Sequence, residues 1–174
     1  MSFQPGEDSD TARLAARHAA EKPALGRAFA IVASRFNDAI VERLVAGARQ
    51  ALLAAGTAAD DIALYRCPGA LELPGLVRRV VDLGRYKGVV VLGCVIRGDT
   101  PHFDYICGAV AHGLTAAAAA TGIPMAFGVL TTNSVEEALA RAGDGPGNKG
   151  REAAAAAMEM AEVVSDLTKR STPK

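Results

Sequence analysis

The sequence lacks several features that define common classes of protein. No uninterrupted apolar stretch approaches the about 20 residues needed to span a bilayer, so we expect no membrane partner. Lysine plus arginine and aspartate plus glutamate number 19 each, so no net charge would attract nucleic acid or a membrane surface. The first ten residues are polar and acidic, without the apolar core of a secretory signal, which favours a cytoplasmic protein.

Cysteine is also scarce, and its placement disfavours disulfide and metal sites. The three cysteines, Cys67, Cys94 and Cys107, are odd in number, have no CxxC spacing and lie in or beside apolar segments. This pattern favours reduced thiols in the core. Because the three histidines are scattered along the chain, no metal site is predicted.

The chain lacks the glycine-rich loop of dinucleotide-binding proteins. The first predicted strand is followed by SRFND at residues 34–38, where such a protein would carry GxGxxG. A generic Rossmann nucleotide binder is therefore disfavoured.

What is present is a regular alternation of strands and helices. Apolar runs predict strands at 28–33, 62–65, 89–96 and 125–130, and each run leads into a helical pattern. This order predicts an α/β fold in which a four-stranded parallel sheet carries helices on both faces. The chain has the length of one domain, for which we predict residues 26–170.

The two ends of the chain fall outside this pattern. Residues 1–25 are rich in alanine and charge and are interrupted by Pro5 and Pro23. They are predicted to form an N-terminal arm, either a short helix or a disordered segment. Residues 171–174 are predicted to be a C-terminal tail.

Capping residues predict where the helices begin. A side-chain oxygen just before a helix can accept one of its free N–H groups, and glutamate three residues later completes a capping box. The predicted caps are Asp38, Thr100, Ser134 with Glu137, and Asn148.

The stretch from Gly88 to Gly108 carries the clearest sign of chemistry. Its buried strand ends at a polar turn, and Thr100-Pro101 then predicts a helix with His102 in its first turn. The positive end of the helix favours an anion and disfavours an imidazolium, so we expect a phosphate site beside a neutral histidine. Alternatively, Thr-Pro caps many helices that bind nothing, and a surface histidine is commonly only solvated.

Polar and aromatic residues follow all four predicted strands. Since the carboxyl ends of parallel strands meet at one rim, these residues are predicted to share a cleft. They are Phe36, Asn37, Glu72, residues 97–102 and residues 131–133. Each has a plainer interpretation: Phe36 as a loop anchor and Glu72 as a cap or a solvated carboxylate. Further along the chain, Phe127 is simplest as core, Arg141 as a helix-dipole partner and Lys149 as a loop charge.

Five blocks of this sequence, taken together, resemble the 6,7-dimethyl-8-ribityllumazine synthase family. The resemblance covers roughly residues 27–166. The blocks are FN at Phe36–Asn37, GALE at Gly69–Glu72, VIRGDTPHFDY at Val95–Tyr105, FGVLTT at Phe127–Thr132 and RAG…GNKG at Arg141–Gly150.

The resemblance implies a flavodoxin-like three-layer α/β/α sandwich and the penultimate step of riboflavin synthesis. In that step 5-amino-6-ribitylaminouracil condenses with 3,4-dihydroxy-2-butanone 4-phosphate and releases phosphate and water. The chemistry needs proton transfer but no redox or metal step, so no cofactor is expected.

The resemblance also implies a role for each matching residue. His102 would transfer protons. The aminouracil would meet Phe36, Ala70, Leu71, Glu72, Cys94, Val95 and Ile96, with Phe127 closing the site from an adjacent subunit. The butanone phosphate would be held by Asp99, Thr100, Arg141 and Lys149.

Members of the family form pentamers, and in some cases twelve pentamers form a hollow icosahedral shell. The resemblance therefore implies a homo-oligomer with small-molecule substrates bound between subunits. The first 25 residues and the sequence GDGPG at 143–147 depart from familiar family forms, which leaves both assemblies open. A shell-forming or flavin-binding relative and an archaeal-type riboflavin synthase are the rival interpretations.

Overall fold

A computed structural model describes residues 28–170 as an alternating series of strands and helices. The predicted arm at 1–25 and the tail at 171–174 lie outside the described residues. The strands are β1 (Ala28–Ser34), β2 (Ile62–Cys67), β3 (Tyr86–Ile96) and β4 (Met125–Thr132). The helices are α1 (Asp38–Ala54), α2 (Leu73–Val81), α3 (His102–Thr121), α4 (Val135–Arg141) and α5 (Lys149–Arg170), with single 3-10 turns at Ala59–Asp61 and Ala70–Glu72.

The four strands form one sheet in the order β2-β1-β3-β4, and every neighbouring pair is parallel. The predicted α/β fold with a four-stranded parallel sheet is confirmed. The central strands β1 and β3 are buried on both faces, which explains their continuous apolar sequences. β4 lies at an edge of the sheet, a position that becomes important for the site.

Each face of the sheet has its own apolar core. On one face, residues such as Ile31, Val90 and Leu92 pack against α1 and α5. On the other, residues such as Val32 and Val91 pack against α2 and α3. The three layers confirm the sandwich architecture. They also place α3 and α5, the two helices that follow the strongest motifs, on opposite faces of the sheet.

The helix boundaries lie close to the predicted ones, but several caps differ. α1 is capped by Asn37 in a left-handed conformation (φ 59°), and Asp38 is its first residue. Pro101 precedes α3, so the Thr100 hydroxyl does not cap that helix as predicted. Ser134 Oγ accepts from the N–H of Glu137 at 3.2 Å, but the Glu137 carboxylate accepts from the N–H of Asn133 at 3.0 Å and not from that of Ser134. α1 and α3 therefore begin at turns that the capping patterns of the sequence do not predict.

Within residues 28–170, no helix is both long and apolar enough to cross a membrane.

Candidate active site

A cleft of about 430 Å³ lies where β1, β2 and β3 end and α3 begins. We call it the His102 cleft. Parallel strands bring their carboxyl ends to one rim, and the turns after them form its walls. Of the residues predicted for the site, it brings together Phe36, Ala70, Leu71, Glu72, Cys94, Val95, Ile96, Thr100 and His102.

Three predicted residues lie in a different cleft. Phe127, Arg141 and Lys149 line a space of about 400 Å³ between the edge strand β4 and helix α5, which we call the Arg141 cleft. The two clefts share no lining residue. The prediction that all four strand ends share one cleft is therefore wrong within a single chain: Thr131, after the fourth strand, lines the Arg141 cleft.

The separation follows from the sheet order. The segment after β3 becomes α3 and covers one face, whereas the segment after β4 leads through α4 to α5 on the other face. Gly128 in β4 permits the close approach of α5, because a Cβ there would lie 2.5 Å from Leu92 Cδ2 and 3.0 Å from Ala153 Cβ. Arg141 and Lys149 therefore line a different cleft from His102.

Asp99 and Asn37 line neither cleft. Asp99 is an exposed residue of the turn before α3. The side chain of Asn37 has a structural role, since its Nδ2 donates to the carbonyl of Cys94 at 3.0 Å. This bond ties the turn after β1, which carries the exposed Phe36, to the end of β3.

The turn carrying Thr100 and His102 is bracketed by an ion pair. Arg97 donates two hydrogen bonds to the carboxylate of Asp104, at 3.0 and 2.7 Å, and its guanidinium lies 4.1 Å from the centre of the Phe103 ring. The hydrogen bonds from Arg97 lower the pKa of Asp104, and in return they raise the pKa of Arg97. The pair closes the segment between the end of β3 and the first turn of α3.

His102 is the first residue of α3 and lies in the wall of the cleft. The N–H groups of Asp104 and Tyr105 both bond to the Pro101 carbonyl, whereas those of His102 and Phe103 have no backbone acceptor among residues 28–170. Unpaired N–H groups at a helix start favour an anion. This end of the cleft can therefore hold a negative group beside an imidazole.

The opposite wall of the His102 cleft presents apolar and carboxylate groups. Phe36 is 70% exposed and so presents its ring to a ligand. One carboxylate oxygen of Glu72 accepts from the N–H of Gly69 at 2.8 Å, which fixes the side chain within the turn after β2. The Cys94 side chain is 1% exposed and packs in the core, and burial raises the pKa of its thiol to about 11. The Cys94 thiol is thus not available to a ligand.

The Arg141 cleft is the cationic one. Arg141 donates to the carbonyl of Glu137 at 2.9 Å through one guanidinium nitrogen and has no carboxylate partner among the described residues. Lys149 Nζ lies 2.9 and 2.6 Å from the two carboxylate oxygens of Glu152. Arg141 therefore leaves donors for an anion, and Lys149 is held by a carboxylate in the same cleft.

Sequence reasoning missed several residues at both clefts. Phe103 and Ile106 line the His102 cleft, and Glu152 lines the Arg141 cleft. The spacing of Lys149 and Glu152, three residues apart on a predicted helix, was a signal for that pair. No pattern in the sequence identifies the Arg97–Asp104 pair, because its form depends on the turn between them.

All three cysteines are free thiols; Cys67 and Cys94 are buried as predicted, whereas Cys107 is half-buried. Within residues 28–170, no three His, Cys, Asp or Glu side chains are grouped as metal ligands. The groups that the clefts do offer are an imidazole, helix-start N–H groups, an exposed aromatic ring and an unpaired guanidinium. Such groups can stack a planar ring, bind a phosphate and transfer a proton.

Comparison with known proteins points to the same family that the sequence blocks resemble. Residues 26–165 match the family described as 6,7-dimethyl-8-ribityllumazine synthase. A protein of that name from Nitratidesulfovibrio vulgaris (strain DSM 19637 / Miyazaki F) is 48% identical over 144 residues, which cover 83% of this chain and 92% of the relative. Another of that name, from Anaeromyxobacter dehalogenans (strain 2CP-C), is 49% identical over 145 residues, covering 83% of this chain and 90% of the relative.

Proposed function

The chain belongs to the 6,7-dimethyl-8-ribityllumazine synthase family, and from this premise we propose how its two clefts perform the reaction. The enzyme condenses 5-amino-6-ribitylaminouracil with 3,4-dihydroxy-2-butanone 4-phosphate, and it releases phosphate and water. The observation that carries our proposal is the division of the family's residues between the His102 cleft and the Arg141 cleft.

The His102 cleft binds the aminouracil. Phe36 supplies an exposed ring on which the pyrimidine stacks, and the turn at residues 70–72 faces the ribityl chain. The backbone of residues 94–96 meets the polar edge of the ring. Since stacking a base on an aromatic side chain is worth about 1–3 kcal/mol, Phe36 contributes strongly to the capture of this substrate.

His102 acts on protons in the same cleft. An amine attacks a ketone, the carbinolamine loses water, phosphate leaves, and the ring closes when the second amine attacks the remaining carbonyl and a second water is lost. Each step moves a proton, and the imidazole lies beside helix-start N–H groups and Thr100, which hold the phosphate end. Bringing the two substrates together supplies much of the acceleration, because orientation can be worth roughly 7–11 kcal/mol.

The Arg141 cleft completes the site in a second copy of the chain. Phe127 and Arg141 cannot line the His102 cleft of their own chain, since α3 and α5 cover opposite faces of the sheet. Phe127 lies on the edge strand and is 47% exposed. We therefore assign Phe127, Arg141 and Lys149 to the neighbouring subunit's site, where the two cations bind the phosphate. A homo-oligomer, with a pentamer as its basic unit, is then required for activity.

One experiment tests the proposed function directly. The purified full-length protein is mixed with both substrates, and lumazine absorbance and phosphate release are followed together. We expect both signals in equal amounts. Absence of product would contradict the enzyme assignment, and product formed from lumazine alone would instead indicate a riboflavin synthase.

A further inference from the structure

The side chain of Asn148 occupies an unusual position beside the Arg141 cleft. It is 4% exposed and is one of only three buried polar residues among residues 28–170. It precedes α5, whose first residue is Lys149. It does not line the Arg141 cleft, so its effect on a ligand there would be indirect.

Every hydrogen-bonding group of this side chain is used. Oδ1 accepts from the N–H groups of Gly150 at 2.9 Å and Arg151 at 3.1 Å, which caps α5. Nδ2 donates to the carbonyls of Ala142 at 3.2 Å and Gly143 at 3.1 Å, directly after Arg141. One amide thus joins the backbone that follows Arg141 to the backbone that follows Lys149.

A third bond from Nδ2 anchors this junction to the body of the domain. Nδ2 also lies 3.1 Å from the Arg43 carbonyl of α1, so its two hydrogens are shared among three carbonyl acceptors. The space for Asn148 depends on Gly47 of the same helix, because a Cβ at Gly47 would collide with Oδ1 and lie 2.6 Å from Cγ and 2.9 Å from Nδ2. A Cβ at Gly150 would likewise collide with the Leu44 carbonyl.

We propose that Asn148 is a positioning residue for the phosphate substrate. It sets the separation of Arg141 and Lys149, so that both cations reach the same phosphate. This inference rests on the proposed function. The loop at 143–147 contains three glycines and a proline, and without the amide it could hold the two cations at many separations. Because the hydrogen bonds of Asn148 are buried and all of its polar groups are paired, they favour a single separation of the two cations.

The principal test uses Asn148→Ser in the full-length protein. Serine retains an oxygen that can cap α5 but removes the amide NH2 that reaches the three carbonyls, so capping and positioning are separated. We expect the KM of the butanone phosphate to rise by at least about tenfold, as for the loss of one hydrogen bond to a charged group. The KM of the aminouracil and kcat at saturation should change less than about twofold, because no aminouracil contact is altered.

The matched control is Gly122→Ala. Gly122 ends α3 at φ +69°, with no atom near its missing Cβ, so alanine there lowers stability through the backbone alone. Equal changes in KM for Asn148→Ser and Gly122→Ala would overturn the proposal, because Asn148 would then act only on stability. An inactive wild-type protein would instead contradict the proposed function, so the two failures are distinguishable.

Gly47→Ala provides a second variant if Asn148→Ser does not fold. It leaves every polar group of Asn148 in place but pushes the side chain from its position, while alanine is itself a good helix residue. We expect the same selective rise in the KM of the butanone phosphate. A folded Gly47→Ala enzyme with unchanged KM for both substrates would overturn the proposal.

Discussion

The His102 cleft and the Arg141 cleft hold their functional turns in different ways. The turn of the His102 cleft is closed by the Arg97–Asp104 ion pair, whose side chains are 42% and 60% exposed. The turn of the Arg141 cleft is closed by the buried amide of Asn148. Exposed ion pairs contribute little to folding stability and are screened by salt, whereas buried hydrogen bonds fix the relative positions of the groups they join.

This difference matches the role proposed for each cleft in the reaction. In the proposed mechanism the His102 turn admits a changing set of reaction intermediates and exchanges protons with them. The Arg141 cleft, in the same proposal, presents two cations to one phosphate at a constant separation. An adjustable turn suits the first task and a rigid one suits the second. Substitutions should therefore separate substrate capture from proton transfer.

The largest effect should follow the loss of Arg141. Arg141→Ala removes a guanidinium that has no carboxylate partner in the described chain, and we expect kcat/KM for the butanone phosphate to fall about a hundredfold. Arg78→Ala is the matched control, since Arg78 is exposed and its ion pair within residues 28–170 is with Asp82. Steady-state kinetics with each substrate varied in turn measure the change. An unchanged KM for the butanone phosphate would contradict the role given to Arg141.

Mixed oligomers test whether the two clefts belong to one site. Arg141→Ala impairs one cleft and the double substitution Phe36→Ala/His102→Ala impairs the other, so each variant alone should be nearly inactive. When the two chains are co-expressed, about a quarter of the intersubunit sites would receive both intact clefts by random pairing. Activity should then recover to about a quarter of the wild-type value. No recovery in a verified mixed oligomer would mean that each site lies within one chain.

Loss of His102 should have a smaller effect than loss of Arg141. We expect His102→Ala to lower kcat about tenfold, less than the about 10²–10⁴-fold that acid–base catalysis can supply, because orientation provides the rest. The KM of both substrates should change little. Single-turnover measurements with saturating substrates isolate this step, with His112→Ala as the control, since His112 lines neither cleft. Complete loss of turnover would contradict the expectation that loss of His102 has a smaller effect than loss of Arg141.

The smallest effect should come from Asp104→Asn. Arg97 lowers the pKa of Asp104, so the contribution of the pair to stability is complete above the usual carboxyl pKa and is lost as the pH falls through the lowered one. The difference in Tm between wild type and Asp104→Asn should therefore be greatest near neutral pH and shrink on acidification. It should also shrink in high salt.

Asp60→Asn is the control for this comparison, since Asp60 is exposed and has no ion pair within residues 28–170. A Tm difference for Asp104→Asn that is constant from neutral to acidic pH would show that Asp104 acts by packing and not by charge.

Much of the fold could be predicted from local patterns. The apolar runs at 28–33 and 89–96 gave two of the four strands because a buried parallel strand needs apolar residues on both faces. Asn148 was correctly predicted as the cap of α5, because its Oδ1 accepts from the N–H groups of Gly150 and Arg151. Asp38 and Thr100 were wrong as side-chain caps, since the backbone of Asn37 and Pro101 enters those helices by other turns.

The candidate site was predicted less completely, and the assigned roles remain predictions. Nine of the residues named for it line one cleft, because turns after adjacent strands of a parallel sheet must be close. Phe127, Arg141 and Lys149 line another, and Asp99 lines neither. The sequence contains all of these residues but not the face of the sheet on which each one lies.

The sequence by itself determined the order of strands and helices, the family and the types of chemical group available. These depend on periodicity and short motifs, which are properties of neighbouring residues. Only the tertiary structure decided that β4 lies at the sheet edge, that α3 and α5 cover opposite faces, and that Asn148 bonds to Arg43, 105 residues away. These relations depend on how crossovers pack both faces of one sheet, and no local pattern contains that information.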